Sequence, residues 1–295
     1  NEKKSDRPGD ERNLLLNDRQ VKFEKYLTDA FSEKAVEFIN ESSQPFMMYL
    51  AYNAVHTPMQ ATDEDMAKFE GHPRQKLAAM TYALDRGVGT VIRGLKDSGK
   101  FDNTLIFFLS DNGGATTNQS SNYPLKGFKG NKFEGGHRVP YFVVWKNGIP
   151  AGKPYDGLVS SLDIFATAID AASISKTRNR LDGVSLLPYL KGKKGEPHKV
   201  LYWRKMDTRA IRSGDYKLII THGVDSVLYN IRRDPEEMNN LINKEPDLYR
   251  KLAKKLAKWE KNECIEPSWL EEGWRKITNR YHQQLMHNEI KTAQD

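Results

Sequence analysis

The sequence predicts an α/β fold: a mostly parallel sheet sandwiched by helices, followed by a smaller α+β subdomain built on an antiparallel sheet. Three observations lead there. Short continuous apolar runs at 46–52, 105–109 and 141–145 have the length of buried strands. Helix-period patterns alternate with them, at 27–38, 75–96 and 161–172. After about Gly195 the texture changes to short strand-like pieces with turn residues between them.

In chain order, residues 1–17 are polar and charged and read as a loop or frayed end. Leu27, Phe31, Ala35 and Phe38 then recur at helical spacing, ending near Asn40 before Ser42-Ser-Gln-Pro45. The run at 46–52 reads as a buried strand, and the turn-rich Asn53-Ala-Val-His-Thr-Pro58 follows it directly. A short helix is expected at 63–69. The clearest helix is 75–96, where Leu77, Met80, Leu84, Val88, Val91 and Leu95 form one apolar stripe and Gly99 suits the exit. The strand at 105–109 runs straight into Ser110-Asp-Asn-Gly-Gly114.

Beyond Gly195, strands are expected at 200–203, 208–211, 216–221 and 226–230, turned by Gly214-Asp and His222-Gly. With no long helix between them they predict antiparallel pairing. A helix over 246–262 carries Leu248, Leu252, Leu256 and Trp259 on one face. The expected division is a large α/β domain over 1–195 and a small subdomain over 196–295.

Composition narrows the function classes. Hydrophobic residues make up 38% of the 295 and aromatics 10%, which suits a packed globular chain. No apolar run reaches the roughly 20 residues of a membrane span. The net charge is +7, with the cations scattered and no zinc-finger, RNA-recognition or basic-zipper pattern, so nucleic acid is not an expected partner. Cys264 is the single cysteine, which excludes an intrachain disulfide and a cysteine-based metal cluster.

In an open parallel α/β sheet, ligands bind beyond the carboxyl ends of the strands. Two polar segments fall at such ends. Asp111 and Asn112 offer a carboxylate and an amide oxygen side by side, hard donors suited to calcium or magnesium. An ordinary Asp-Asn-Gly turn has the same sequence. His56, after the run at 46–52, can act as a general acid or bind an oxyanion, and a lone histidine can equally be structural. A third segment is Lys126-Gly-Phe-Lys129-Gly-Asn-Lys132-Phe-Glu134-Gly-Gly-His-Arg138-Val-Pro140, with four glycines and four Lys or Arg cations. Such a loop can hold a tetrahedral oxyanion, and it can also be a solvated basic loop.

Taken together and in order, these segments resemble the sulfatase family of the alkaline phosphatase superfamily. Residues 45–58, 102–114 and 127–140 carry the resemblance, and Leu181-Asp-Gly-Val-Ser-Leu-Leu-Pro188 adds to it. Residues 210–218 and 228–241 resemble the family's C-terminal subdomain. The resemblance implies a sulfuric ester hydrolase, acting by family habit on a sulfated carbohydrate. It implies that Asp111 and Asn112 are two ligands of one Ca2+ ion and that Lys129 holds a sulfate oxygen. It implies that His56 assists departure of the alcohol. Glu134 and Arg138 read as supports of the loop. A periplasmic or secreted location is implied by the resemblance alone.

One departure is large. Sulfatases carry Cys-x-Pro-x-Arg or Ser-x-Pro-x-Arg, whose first residue becomes formylglycine, and neither pattern occurs here. The expectation is therefore the larger, C-terminal part of a sulfatase. An N-terminal sulfatase segment, upstream or as a second chain, would supply the nucleophile, the other calcium ligands and the first strands. Two other readings remain: a related phosphodiester or phosphonate hydrolase, and a non-catalytic protein that binds sulfated glycans.

Overall fold

The computed structural model describes residues 14–21, 24–174, 180–264 and 271–292. The chain forms two compact units, 1–101 and 102–295.

The first unit holds a small hairpin, β1 (Leu14–Leu16) and β2 (Arg19–Val21), and three helices. These are α1 (Leu27–Glu41), α2 (Asp63–Ala67) and α3 (Gln75–Asp97). Small residues set the closeness of α1 and α3. A Cβ on Gly87 would lie 2.6 Å from Ser32 Oγ, and one on Gly94 would lie 2.9 Å from Val36. Arg86 of α3 spans two carboxylates, Asp29 at 2.9 Å and Asp65 at 2.6 Å, so one guanidinium ties all three helices.

The run at 46–52 lies beside α1, with Phe46 edge-on to Phe38 and the Tyr52 hydroxyl 2.8 Å from Ser32 Oγ. Its residues alternate half-buried and exposed, as a strand's do, and Met47 and Tyr49 are 67% and 89% exposed. It pairs with no other strand among the described residues. All ladders among those residues are antiparallel, so the mostly parallel sheet that the sequence predicts is not among them. The apolar run marks a segment suited to a sheet; it does not fix which strand lies beside it.

The second unit begins with β3 (Ile106–Leu109), paired antiparallel with β4 (Tyr141–Val144). Between them lie the two glycine-rich loops and the single turn α4 (Glu134–His137). Next come α5 (Asp163–Ala171) and α6 (Leu187–Leu190). The buried Asp163 accepts from the backbone N–H groups of Ser160 and Val184 and from His198 Nε2, at 2.7, 2.9 and 2.7 Å. The segment 181–188 is thereby fixed against α5, which gives it a structural part.

The expected antiparallel sheet follows as β5 (Val200–Lys205), β6 (Thr208–Ser213), β7 (Tyr216–Thr221) and β8 (Asp225–Asn230), paired in that order. Alternation gives it two apolar faces. On one, Ile211, Leu218 and Leu228 meet Leu252 and Leu256 of α7 (Pro246–Glu263), and Trp259 stacks on Tyr202 at 4.9 Å. On the other, Ala210, Ile219, Val227 and Tyr229 meet Phe128 and Phe133 of the glycine-rich loop. Leu285 and Met286 of α8 (Glu272–Met286) join that face. The loop that carries Lys129 is therefore anchored by its own phenylalanines in a sheet core. No helix among the described residues is long and apolar enough to cross a membrane.

Candidate active site

The site in the second unit is built by two loops sewn together through backbone hydrogen bonds. Asp111 and Asn112 leave β3 at its carboxyl end, where Ser110 N–H donates to Pro140 O at 3.3 Å. Gly113 N–H donates to Gly136 O at 3.1 Å, and Lys129 N–H donates to Gly114 O at 2.9 Å. Asn122 closes the gap. Its Oδ1 accepts from Gly114 N–H at 2.7 Å, and its Nδ2 donates to Gly114 O and Gly127 O, both at 3.1 Å.

This packing explains two glycines. A Cβ on Gly113 would sit 1.8 Å from Gly135 O, and one on Gly135 would sit 2.5 Å from Gly127 O. Both contacts are to backbone, which has no side-chain freedom to move away.

The carboxylate of Asp111 is exposed, and Asn112 Nδ2 donates to its Oδ2. Lys129 is also exposed on its loop. The structure thus brings together the loops bearing Asp111, Asn112 and Lys129. His56 belongs to the first unit. Its Nδ1 donates to Thr57 O at 2.6 Å, its backbone N–H donates to Asn53 O at 2.8 Å, and its surface is exposed. Among the described residues no three His, Cys, Asp or Glu side chains gather into a metal-binding group.

Behind the loop lies a buried ionic brace. Lys217 Nζ, wholly buried, sits 2.9 Å from Glu134 Oε1 and 3.0 Å from Glu237 Oε1. Glu237 Oε2 accepts from Glu134 N–H at 2.6 Å. Arg138 and Arg212 approach Glu134 at 3.7 and 3.8 Å. Burial pushes the Glu134 carboxyl up, but Lys217, His137 and Arg212 outweigh it and hold it low. Burial pushes the Glu237 carboxyl up, and the Glu134 charge beside it adds to that; Lys217 only partly offsets them. Lys126 donates to Glu237 O at 3.1 Å and lies over the Phe133 ring, its ammonium pushed down to about 8 chiefly by burial. Glu134 and Arg138 are supports of the loop, as their pairing in sequence suggests. Asn122, Lys217 and Glu237 were not legible there, because each acts on a partner distant in the chain or through an ordinary loop side chain.

Comparisons with known proteins give the family. A family model for sulfatases matches residues 2–174, and one for the C-terminal region of N-sulphoglucosamine sulphohydrolase matches residues 129–262. The chain belongs to the sulfatase family. Among its relatives is the uncharacterized sulfatase YdeN of Escherichia coli K12, 40% identical over 200 residues, covering 64% of this chain and 36% of the relative. N-acetylgalactosamine-6-sulfatase of Canis lupus familiaris is 32% identical over 202 residues, covering 66% and 38%. The crystal structure of Ps i-CgsB in complex with k-i-k-neocarrahexaose matches with a TM-score of 0.81 at 35% identity, over 92% of this chain and 64% of that one. The chain spans little more than a third of the length of the two relatives.

Proposed function

We propose that this chain forms part of a sulfuric ester hydrolase that removes sulfate from a sulfated carbohydrate. The observation that carries the reading is the double seam, Gly113 to Gly136 and Lys129 to Gly114. It holds a carboxylate–amide pair and an exposed lysine on adjoining loops of a sulfatase-family chain. The names of the relatives support the substrate class.

In this reading the Lys129 ammonium binds a sulfuryl oxygen and stabilises charge that builds there as the ester bond lengthens. His56 donates a proton to the departing alcohol oxygen. Asp111 and Asn112 would hold Ca2+. Their donor chemistry fits: both side chains carry hard oxygens, and Asp111 is exposed. Bound there, the ion would supply positive charge that stabilises the sulfuryl oxygens. A formylglycine from outside these 295 residues supplies the nucleophile, carried by an N-terminal sulfatase segment that also completes a parallel sheet. The compartment is the periplasm or the cell exterior.

The test is a pair of assays on the intact protein, release of inorganic sulfate from a sulfated oligosaccharide and hydrolysis of a phosphonate monoester. The reading predicts that sulfate release dominates. Turnover of the phosphonate ester alone would move the protein to the related hydrolases, and binding of the oligosaccharide without either reaction would make it a glycan-binding protein.

A further inference from the structure

The turn that closes the seam carries an aromatic ring to which the proposed chemistry gives no part. Asn122, whose side chain bridges Gly114 and Gly127, is followed directly by Tyr123, and Leu125 N–H donates back to Asn122 O at 2.8 Å. Tyr123 therefore stands one residue from the join between the Asp111–Asn112 segment and the glycine-rich loop. It is 73% exposed, more than any other large hydrophobic side chain of the second unit among the described residues. Single exposed apolar side chains are ordinary on a protein surface. Tyr123 is set apart by its place in the seam and by what holds it.

The chain beyond α8 folds back onto the same loop. Gly127 N–H donates to Lys291 O at 2.8 Å, and Lys126 Nζ donates to Asn288 Oδ1. Lys291 Nζ pairs with Glu236 and lies over the Tyr123 ring, 5.5 Å from its centre. The lysine thus braces one face of the ring while a carboxylate meets its charge. Tyr123 keeps its exposure with the lysine in place, so the ring has a face to offer a ligand. A tyrosine held at its backbone and on one face loses little freedom on binding, because two side-chain angles define it. Such a surface is flat, apolar and carries no net charge of its own. It suits the C–H face of a sugar ring, whose hydroxyls can stay in water at the edge of the stack.

We propose that Tyr123, backed by Lys291, is a stacking platform for a sugar ring that adjoins the one losing its sulfate. The proposal rests on the sulfated-carbohydrate reading and narrows it to oligosaccharides, gripped beyond the reacting unit by a ring and not by a charge.

The test is sulfate release by the intact protein from a sulfated oligosaccharide and from the sulfated monosaccharide that is its reacting unit. Wild type, Tyr123→Ala and Tyr123→Phe are compared, with melting temperatures measured alongside. Tyr123→Ala is expected to raise KM for the oligosaccharide by about tenfold, as for loss of about 50 Å² of apolar contact, and by about fivefold or more beyond any rise for the monosaccharide. The effect should fall on KM far more than on kcat, because the stack is made alike before and during the reaction. Tyr123→Phe keeps the ring and is expected to stay within about twofold of the wild type on the oligosaccharide. A Tyr123→Ala variant whose KM for the oligosaccharide stays within about twofold of the wild type overturns the platform. So does an equal rise for both substrates, or a Tyr123→Phe variant that loses as much as Tyr123→Ala. In each of these cases the wild type still releases sulfate, and the sulfatase reading stands. Failure of the wild type to release sulfate from either substrate overturns both.

Discussion

The backbone N–H of Lys129 donates to the carbonyl oxygen of Gly114 at 2.9 Å. That bond joins the segment after β3 to the glycine-rich loop and fixes where the Lys129 side chain starts, while its ammonium stays exposed. Loops held to one another with exposed side-chain tips suit a site that must meet charge developing on a substrate.

Gly113→Ala tests the seam. The new Cβ would lie 1.8 Å from Gly135 O, so the loops must part. We expect a loss of about 2 kcal/mol or more in urea denaturation, as for forced overpacking, and a fall in sulfate release that exceeds the loss of folded protein. A variant as stable and active as the wild type would show that the seam does not hold the site.

Lys217→Met tests the brace. It leaves Glu134 and Glu237 buried without the ammonium that meets both at 2.9 and 3.0 Å. Breaking a buried pair from one side costs about 3–5 kcal/mol. A loss under about 1 kcal/mol would mean that Arg212 and Arg138 suffice.

Acid should destabilise the second unit through two histidines. Burial lowers His137 to about 3 and His282 to about 4, from an ordinary 6.5. The unfolded chain then binds more protons than the folded one between those values. Their contribution to stability is complete above pH 6.5 and is lost as pH falls towards 4. Thermal melting from pH 7.5 down to 4.5 should show this drop, and His282→Gln should flatten it. An unchanged slope in that variant would remove His282 from the account.

Asp111→Ala should leave the melting temperature unchanged, because the side chain is exposed, and should lower calcium affinity in a direct titration. Calcium bound as tightly as by the wild type would take Asp111 off the ligand list.

Much of this was legible in the residues, for specific reasons. The stripe from Leu77 to Leu95 is periodic over many turns, and α3 forms there. The pieces after Gly195 alternate between short strands and turn residues, and β5–β8 form a sheet in sequence order. Period and turns are local properties, so a single sequence displays them. Which strand lies beside which is not local. The run at 46–52 is apolar enough for a sheet, yet among the described residues it has no neighbour, and β3 pairs with β4 in the antiparallel sense. Helix α8 has no legible apolar stripe, because its buried positions include Thr278 and His282. The glycine-rich loop stood out by composition, but its supports did not. Glu237 stands 103 residues from the Glu134 amide it accepts from, and Lys205 meets Gly130 from another element.

The most direct test of the central claim is sulfate release from a sulfated oligosaccharide by the intact protein, wild type against Lys129→Ala, with melting temperatures measured in parallel. The account predicts a fall of about 100-fold or more in kcat/KM with stability unchanged, as for loss of an oxyanion-stabilising group. A fall of less than about threefold, or no sulfate release from the wild type, would contradict it.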